Sequence, residues 1–192
     1  MQDQKLAKIA LVGASCTGKT SLFDTYRQQY AGQSPRVTFV SEAAREYFQT
    51  HSLPDRFTQE VQRDIQLLML KNEEAAPKEN CDIILCDSST IDPAIYTLAF
   101  GDSEGAEALI SQINFWLPTY TKFLLLNPAD VPFENDEVRN ESEKDRENIH
   151  QTFIKLFTEK NIPYEVLSGS LEERVAKLHE YIVKIAGAPT LT

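Results

Sequence analysis

Gly13-Ala14-Ser15-Cys16-Thr17-Gly18-Lys19-Thr20 stands between a short apolar run at residues 9–12 and a stretch, Lys19–Tyr30, in which Leu22, Phe23 and Tyr26 recur at helical spacing. Glycine, four residues, then Gly-Lys-Thr is the P-loop pattern, and a strand before it with a helix after it is the setting that pattern requires. Gly13 and Gly18 let the backbone turn tightly, so that successive N–H groups point inward, and the helix N-terminus adds the positive end of its dipole. The stretch reads as a phosphate cradle, with Gly13, Ala14, Ser15, Cys16, Thr17, Gly18, Lys19, Thr20 and Ser21 as the expected nucleotide contacts. Lys19 is placed to reach the β and γ phosphates as a mobile point charge, and the Thr20 hydroxyl to meet Mg²⁺. Ser15 and Cys16 fill variable positions, although a thiol beside a helix N-terminus is open to acidification and oxidation.

Outward from this loop, strands alternate with helices. Val37–Val40 is a second β-rich run, followed by a helix at 42–50, and Pro54-Asp55 marks a turn before a longer helix at 58–74, where Val61, Ile65 and Leu68 recur. Apolar runs at 83–86 and 123–126 and a last one at Tyr164–Leu167 predict three more strands. Helical stretches at 92–100 and 106–116 separate the third strand from the fourth. A helix at 142–160 stops at Asn161 and Pro163, and Ser170 with Glu173 forms a capping box that opens the last helix, 171–185. Short continuous apolar strands separated by helices predict an α/β fold with a parallel sheet covered on both faces. Neither a repeat nor a Pro/Gly/Ser linker divides the chain, so residues 1–192 are expected to form one domain.

The composition narrows the ligand. With 19 basic and 29 acidic side chains the chain of 192 residues carries a formal charge of −10, which opposes a nucleic-acid strand or an anionic membrane as partner. The longest apolar runs are about four residues, against the roughly 20 that a bilayer span needs. Three cysteines, Cys16, Cys81 and Cys86, form no even, spaced framework, and the polar N-terminus does not read as a signal peptide; a reducing cytoplasm is the expected location. Cys81 and Cys86 read as small hydrophobes bracketing a strand.

Three further segments bear on chemistry. Asp87 ends the buried run 83–86, and a carboxylate there is costly unless it serves an ion or a hydrogen-bond network. It is expected in the Mg²⁺ shell, through water, since Asp92, or Ser89 and Thr90, are available to cap the following helix. Glu42 and Arg45 follow the second strand three residues apart, on one helical face. An intrahelical pair in a first turn explains them as well as a base and a substrate-binding cation do. Residues 127–147 hold eight acidic and three basic side chains, half of the chain's excess negative charge. A solvated acidic loop accounts for this, but Arg139 and Arg146, seven apart, would share a face if the segment became helical, as the arginines of a closing phosphotransferase lid do. For the aromatics Tyr47, Phe48, Tyr96 and Trp116, helical spacing favours core packing over stacking on a ligand ring.

Taken together and in order, these segments resemble the P-loop kinases of the NadR type, whose kinase domain phosphorylates nicotinamide riboside, and the AAA-like kinases of NAD metabolism. The matching residues are Gly13 to Thr20, Glu42-Ala43-Ala44-Arg45-Glu46, Asp87-Ser88-Ser89-Thr90 with Tyr96 beyond it, and Asp130-Val131-Pro132-Phe133 leading through Asp136 to Arg139. The stretch from Arg146 to Phe153 and the strand end from Tyr164 to Gly169 are similar too. The resemblance implies a P-loop NTPase fold with a five-stranded sheet of order 2-3-1-4-5, ATP as donor, a small lid at about 130–147, and Glu42, Arg45 and Tyr96 at the acceptor. Two departures stand out. The chain carries no adenylyltransferase domain of full NadR proteins and is not expected to make the dinucleotide by itself. Where the family has Asp-Gly before one residue and Arg, this sequence has Asp136-Glu137-Val138-Arg139, a stiffer turn.

The expected chemistry is in-line phosphoryl transfer from ATP to a hydroxyl of a small nucleoside-like acceptor, nicotinamide riboside or a related compound. Lys19 and the loop hold phosphates, Thr20 and Asp87 organise Mg²⁺, Glu42 takes or orients the hydroxyl proton, and Arg45, Arg139 and Arg146 offset the charge on the moving group. Spacing alone leaves Glu42 and Asp87 both open as the base. The alternative is a non-catalytic ATP- or GTP-binding adaptor or a plain NTPase module. Guanine reading lacks support, because Asn127-Pro128-Ala129-Asp130 has the outer residues of Asn-Lys-x-Asp without the lysine.

Overall fold

A computed structural model describes residues 6–51, 57–133 and 141–187. Its five strands are β1 (Ala7–Val12), β2 (Val37–Val40), β3 (Ile83–Asp87), β4 (Lys122–Leu126) and β5 (Tyr164–Leu167). Its helices are α1 (Lys19–Tyr30), α2 (Ala43–Thr50), α3 (Gln59–Ala75), α4 (Asp92–Ala99), α5 (Ser103–Ile113), α6 (Glu143–Glu159) and α7 (Leu171–Ala186). Short 3-10 turns at Leu117–Thr119 and Pro128–Asp130 flank β4. All strands are parallel, in the order β2-β3-β1-β4-β5 that the family resemblance implies.

The apolar strands are continuous because both faces of the sheet are covered, and successive residues serve opposite cores. On one face Ala10, Val12, Ile84, Cys86, Phe123 and Leu125 meet Ile95 of α4, Leu109 and Ile113 of α5, and Phe153 and Phe157 of α6. On the other Ile9, Leu11, Ile83, Leu85, Leu124 and Leu126 meet Leu22, Phe23 and Tyr26 of α1 and Leu178 and Ile182 of α7. A smaller cluster of Ala43, Val61, Ile65 and Met69 joins α2 to α3. Cys86 is buried as expected of a small hydrophobe, and Cys81 is half-buried. Among the described residues no helix is long and apolar enough to cross a membrane.

One helix start departs from the periodicity, and one helix takes in part of the expected lid. Helix α5 begins at Ser103 rather than 106, because the Asp102 side chain accepts from the Gly105 N–H at 2.8 Å and caps a turn that Ser-Glu-Gly disguises. Residues 143–147, the last part of the expected lid, are the first turn of α6, held by a capping box between Ser142 and Asp145. Of the rest of the expected lid, Asp130 ends the 3-10 turn after β4 and Glu141 is buried just before α6, while residues 134–140, with Arg139, lie outside the described residues.

Candidate functional site

The loop between β1 and α1 sits at the carboxyl end of the central strand. Gly13 and Gly18 have φ of 140° and 84°, which L side chains rarely adopt, and a Cβ on Gly13 would also lie 3.3 Å from the Leu126 carbonyl. Thr17 Oγ1 donates to the Ala14 carbonyl at 2.9 Å, and Lys19 Nζ reaches back over the loop to the carbonyls of Gly13 and Ala14 at 2.8 and 2.7 Å. Two buried arginines brace the loop from outside. Arg146 of α6 donates through Nη1 to the carbonyls of Cys16 (3.2 Å) and Val131 (3.0 Å). Arg174 of α7 donates to Thr17 O at 2.8 Å and to the Asp130 carboxylate at 3.1 Å. Asp130 also accepts from the Gly169 N–H, so this carboxylate serves the loop's support. Sequence reasoning missed Arg174, a lone arginine far along the chain, whose only signal is a cation inside the apolar face of α7.

Parallel pairing of β1 with β3 sets Leu11 beside Asp87 and brings the end of β3 next to the start of α1. Thr20 Oγ1 donates to Asp87 Oδ2 at 2.9 Å, so the two expected metal ligands are together. A hydroxyl and one carboxylate are hard oxygen donors of the kind that would hold Mg²⁺, whose charge would neutralise that of bound phosphates. Among the described residues no three His, Cys, Asp or Glu side chains gather into a site that would hold a metal by protein ligands alone.

Beside the loop opens a cleft of roughly 710 Å³, including space open to solvent, lined by Lys19, Glu42, Arg45, Ser88 and Tyr96 among others. Glu42 ends the link from β2, pairs with Arg45 at 3.6 Å, and shares the cleft with Lys19. The intrahelical pair and the acceptor-side position therefore coexist. Of the four aromatics, Phe48 and Tyr96 line the cleft, and Phe57 stacks parallel to Tyr96 at 6.3 Å. Tyr47 instead stacks on His51, and Trp116 donates to Glu73 at 2.8 Å in the interior.

Four polar residues that sequence reasoning gave no role in the site also line this cleft: Gln62, Ser88, Asp92 and Glu141. Asp92 Oδ1 accepts from the Ser89 N–H at 3.1 Å and from the Ser89 hydroxyl at 2.5 Å. Burial pushes the Asp92 carboxyl up to about 7, while the Ser89 hydrogen bonds and the Lys19 charge pull the other way. The loop carrying Asp87 and Asp92 is anchored from behind. Thr90 N–H donates to Tyr120 Oη at 3.0 Å, Gln66 donates to Thr90 O at 2.8 Å, and Tyr120 in turn donates to Glu73. Glu73 closes this network with buried Lys8 at 2.7 Å, and the ammonium lies 4.3 Å from the Trp116 ring centre.

A glycine-bounded loop with its lysine, a following helix and a hydroxyl–carboxylate pair across adjacent strands define a P-loop nucleoside-triphosphate-binding fold. Within that class, the chain belongs to the AAA domain family, which matches residues 8–174. Solved structures with a similar fold include NadR in complex with NR (TM-score 0.75, 17% identity, 98% of this chain and 53% of that one). Another is deoxyadenosine kinase from M. mycoides (TM-score 0.59, 14% identity, 92% and 99%). A third is thymidylate kinase from Candida albicans (TM-score 0.61, 16% identity, 95% and 94%). The chain thus spans about half the length of the NadR structure. At such identities the likeness is one of fold. No curated protein matches the sequence.

Proposed function

We propose that the chain is an ATP-dependent phosphotransferase acting on a hydroxyl of a small nucleoside-like acceptor, nicotinamide riboside or a related compound. The observation that carries this reading is the cleft in which Lys19 of the phosphate loop meets Glu42, Arg45 and aromatic walls. A non-catalytic nucleotide-binding module has no use for an aromatic-walled cleft beside its phosphate lysine. The NadR structures, one solved with NR and one with NAD and AMP-PNP, support the choice of acceptor and donor.

In this reading loop N–H groups and Lys19 hold the triphosphate, with the carbonyls of Cys16 and Thr17 turned outward onto Arg146 and Arg174. Thr20 and Asp87 would hold Mg²⁺, which neutralises charge on the phosphates. Because Asp87 is bonded to Thr20 on the loop side, Glu42 is the better-placed group to accept the acceptor proton. Arg45 orients Glu42 and faces the acceptor, and Tyr96 offers a ring face. Arg146 acts from a buried post on the loop, where it donates to the carbonyls of Cys16 and Val131, and Arg139, outside the described residues, keeps its proposed part in offsetting the charge on the moving group. The acidic balance supports a partner set of small molecules, and three cysteines that form no even, spaced framework support a reducing cytoplasm.

The test is ADP release from Mg-ATP with nicotinamide riboside and a nucleoside panel. Acceptor-dependent ADP formation is expected, and Glu42→Gln should lower it by about 10²-fold or more with ATP binding nearly intact. Turnover equal to wild type in that variant would remove Glu42 from its role, and no stimulation by any acceptor would favour the NTPase or adaptor reading.

A further inference from the structure

Glu141 lies just before the Ser142 cap of α6 and lines the cleft together with Lys19, Glu42 and Asp92. The residue is only 7% exposed, and its Oε2 has no hydrogen-bond partner among the described residues. A buried carboxylate with an oxygen unserved costs free energy in the folded chain, and that cost is recovered when something in the cleft donates to it. Asp92, in the same cleft, makes its hydrogen bonds to Ser89 through Oδ1, which leaves Oδ2 for a second donor. The cations of this cleft are engaged: Lys19 on the loop carbonyls and Arg45 beside Glu42. Among the described lining residues no other lysine or arginine is present.

We propose that Glu141 is a specificity-determining residue, which with Asp92 accepts hydrogen bonds from the hydroxyls of the acceptor and keeps out acceptors that already carry a phosphate. The inference rests on the kinase reading above and deepens it. A hydroxylated, phosphate-free ligand satisfies the orphaned oxygen. A phosphate dianion in its place meets the Glu141 carboxylate, which accepts hydrogen bonds and donates none, while Lys19 is held by the loop carbonyls and Arg45 lies beside Glu42.

The experiment measures equilibrium binding of nicotinamide riboside, adenosine and uridine, and of the 5′-monophosphate of each, to the full chain with Mg²⁺ and AMP-PNP present. Wild type should hold at least one nucleoside more than about tenfold tighter than its monophosphate. Glu141→Gln should weaken that nucleoside by about tenfold, the loss of a charge-assisted hydrogen bond, and bring the two affinities close together. Glu141→Asp should restore part of the discrimination, and AMP-PNP affinity, a check on folding, should stay unchanged in both variants. If Glu141→Gln keeps the wild-type ratio while nucleoside-stimulated ADP release persists, the assignment of Glu141 fails and the kinase reading stands. A wild type that binds the monophosphate as tightly as its nucleoside also overturns it. If no nucleoside binds and none stimulates ADP release, both readings fall together.

Discussion

Lys19 and Asp92 share a cleft and differ in what they contribute to it. Lys19 bridges the carbonyls of its own loop and is the charge that meets a triphosphate, so Lys19→Ala should abolish the stabilisation that ATP confers. In wild type, ATP at a hundred times its dissociation constant adds about 2.7 kcal/mol, read as a rise in melting temperature, and the variant should show almost none. Asp92 answers to pH. Its carboxyl is pushed up to about 7 by burial from an ordinary value of 3.8, so between these values the folded chain keeps a proton that the unfolded chain releases. The stability it contributes is full below the lower value and is lost as pH rises through the upper one. Asp92→Asn should therefore melt higher than wild type at about pH 8, with the gap closing towards about pH 4. At this scale the phosphate loop was readable because its chemistry is contiguous. Asp92 and Glu141 were not, since their place in the cleft comes from α4 and α6 converging on it.

Among elements, the network of Lys8, Glu73, Trp116 and Tyr120 joins β1, α3 and the turn before β4 to the loop after β3. Removing one member of a buried pair strands the other. Glu73→Ala should cost about 3–5 kcal/mol in urea unfolding, and Lys8→Met with Glu73→Leu should cost much less than that single change. The residual loss would report Tyr120 and Trp116, which also surrender a partner in Glu73. Helix boundaries were readable wherever apolar spacing carried them, as in α1, whose bounds match the periodicity at both ends. They were misread where a side chain caps from outside the apolar pattern, as Asp102 does for α5. Trp116 shows the same limit, because helical spacing cannot tell a ring against a ligand from one whose N–H serves a buried carboxylate.

For the whole molecule, five strands were legible because each is a continuous apolar run, while their spatial order follows from no single residue and came from the ordered resemblance of motifs. Both cores share the residues of β1, β3 and β4 alternately, so the two faces cannot melt separately. Phe153→Ala on one face should cost about 3–5 kcal/mol. Unfolding followed by tryptophan fluorescence and by circular dichroism should then shift to lower urea by the same amount, as one transition. The outward bracing of the phosphate loop has a consequence at this scale as well. Arg146 and Arg174 fasten it to the first turns of α6 and α7, which are remote from it in sequence and contribute no phosphate contacts in the proposed mechanism. A nucleotide that stiffens the loop should thus slow amide deuterium exchange at the beginnings of both helices, and Arg174→Leu should erase that distant protection in α7 while sparing it in α6.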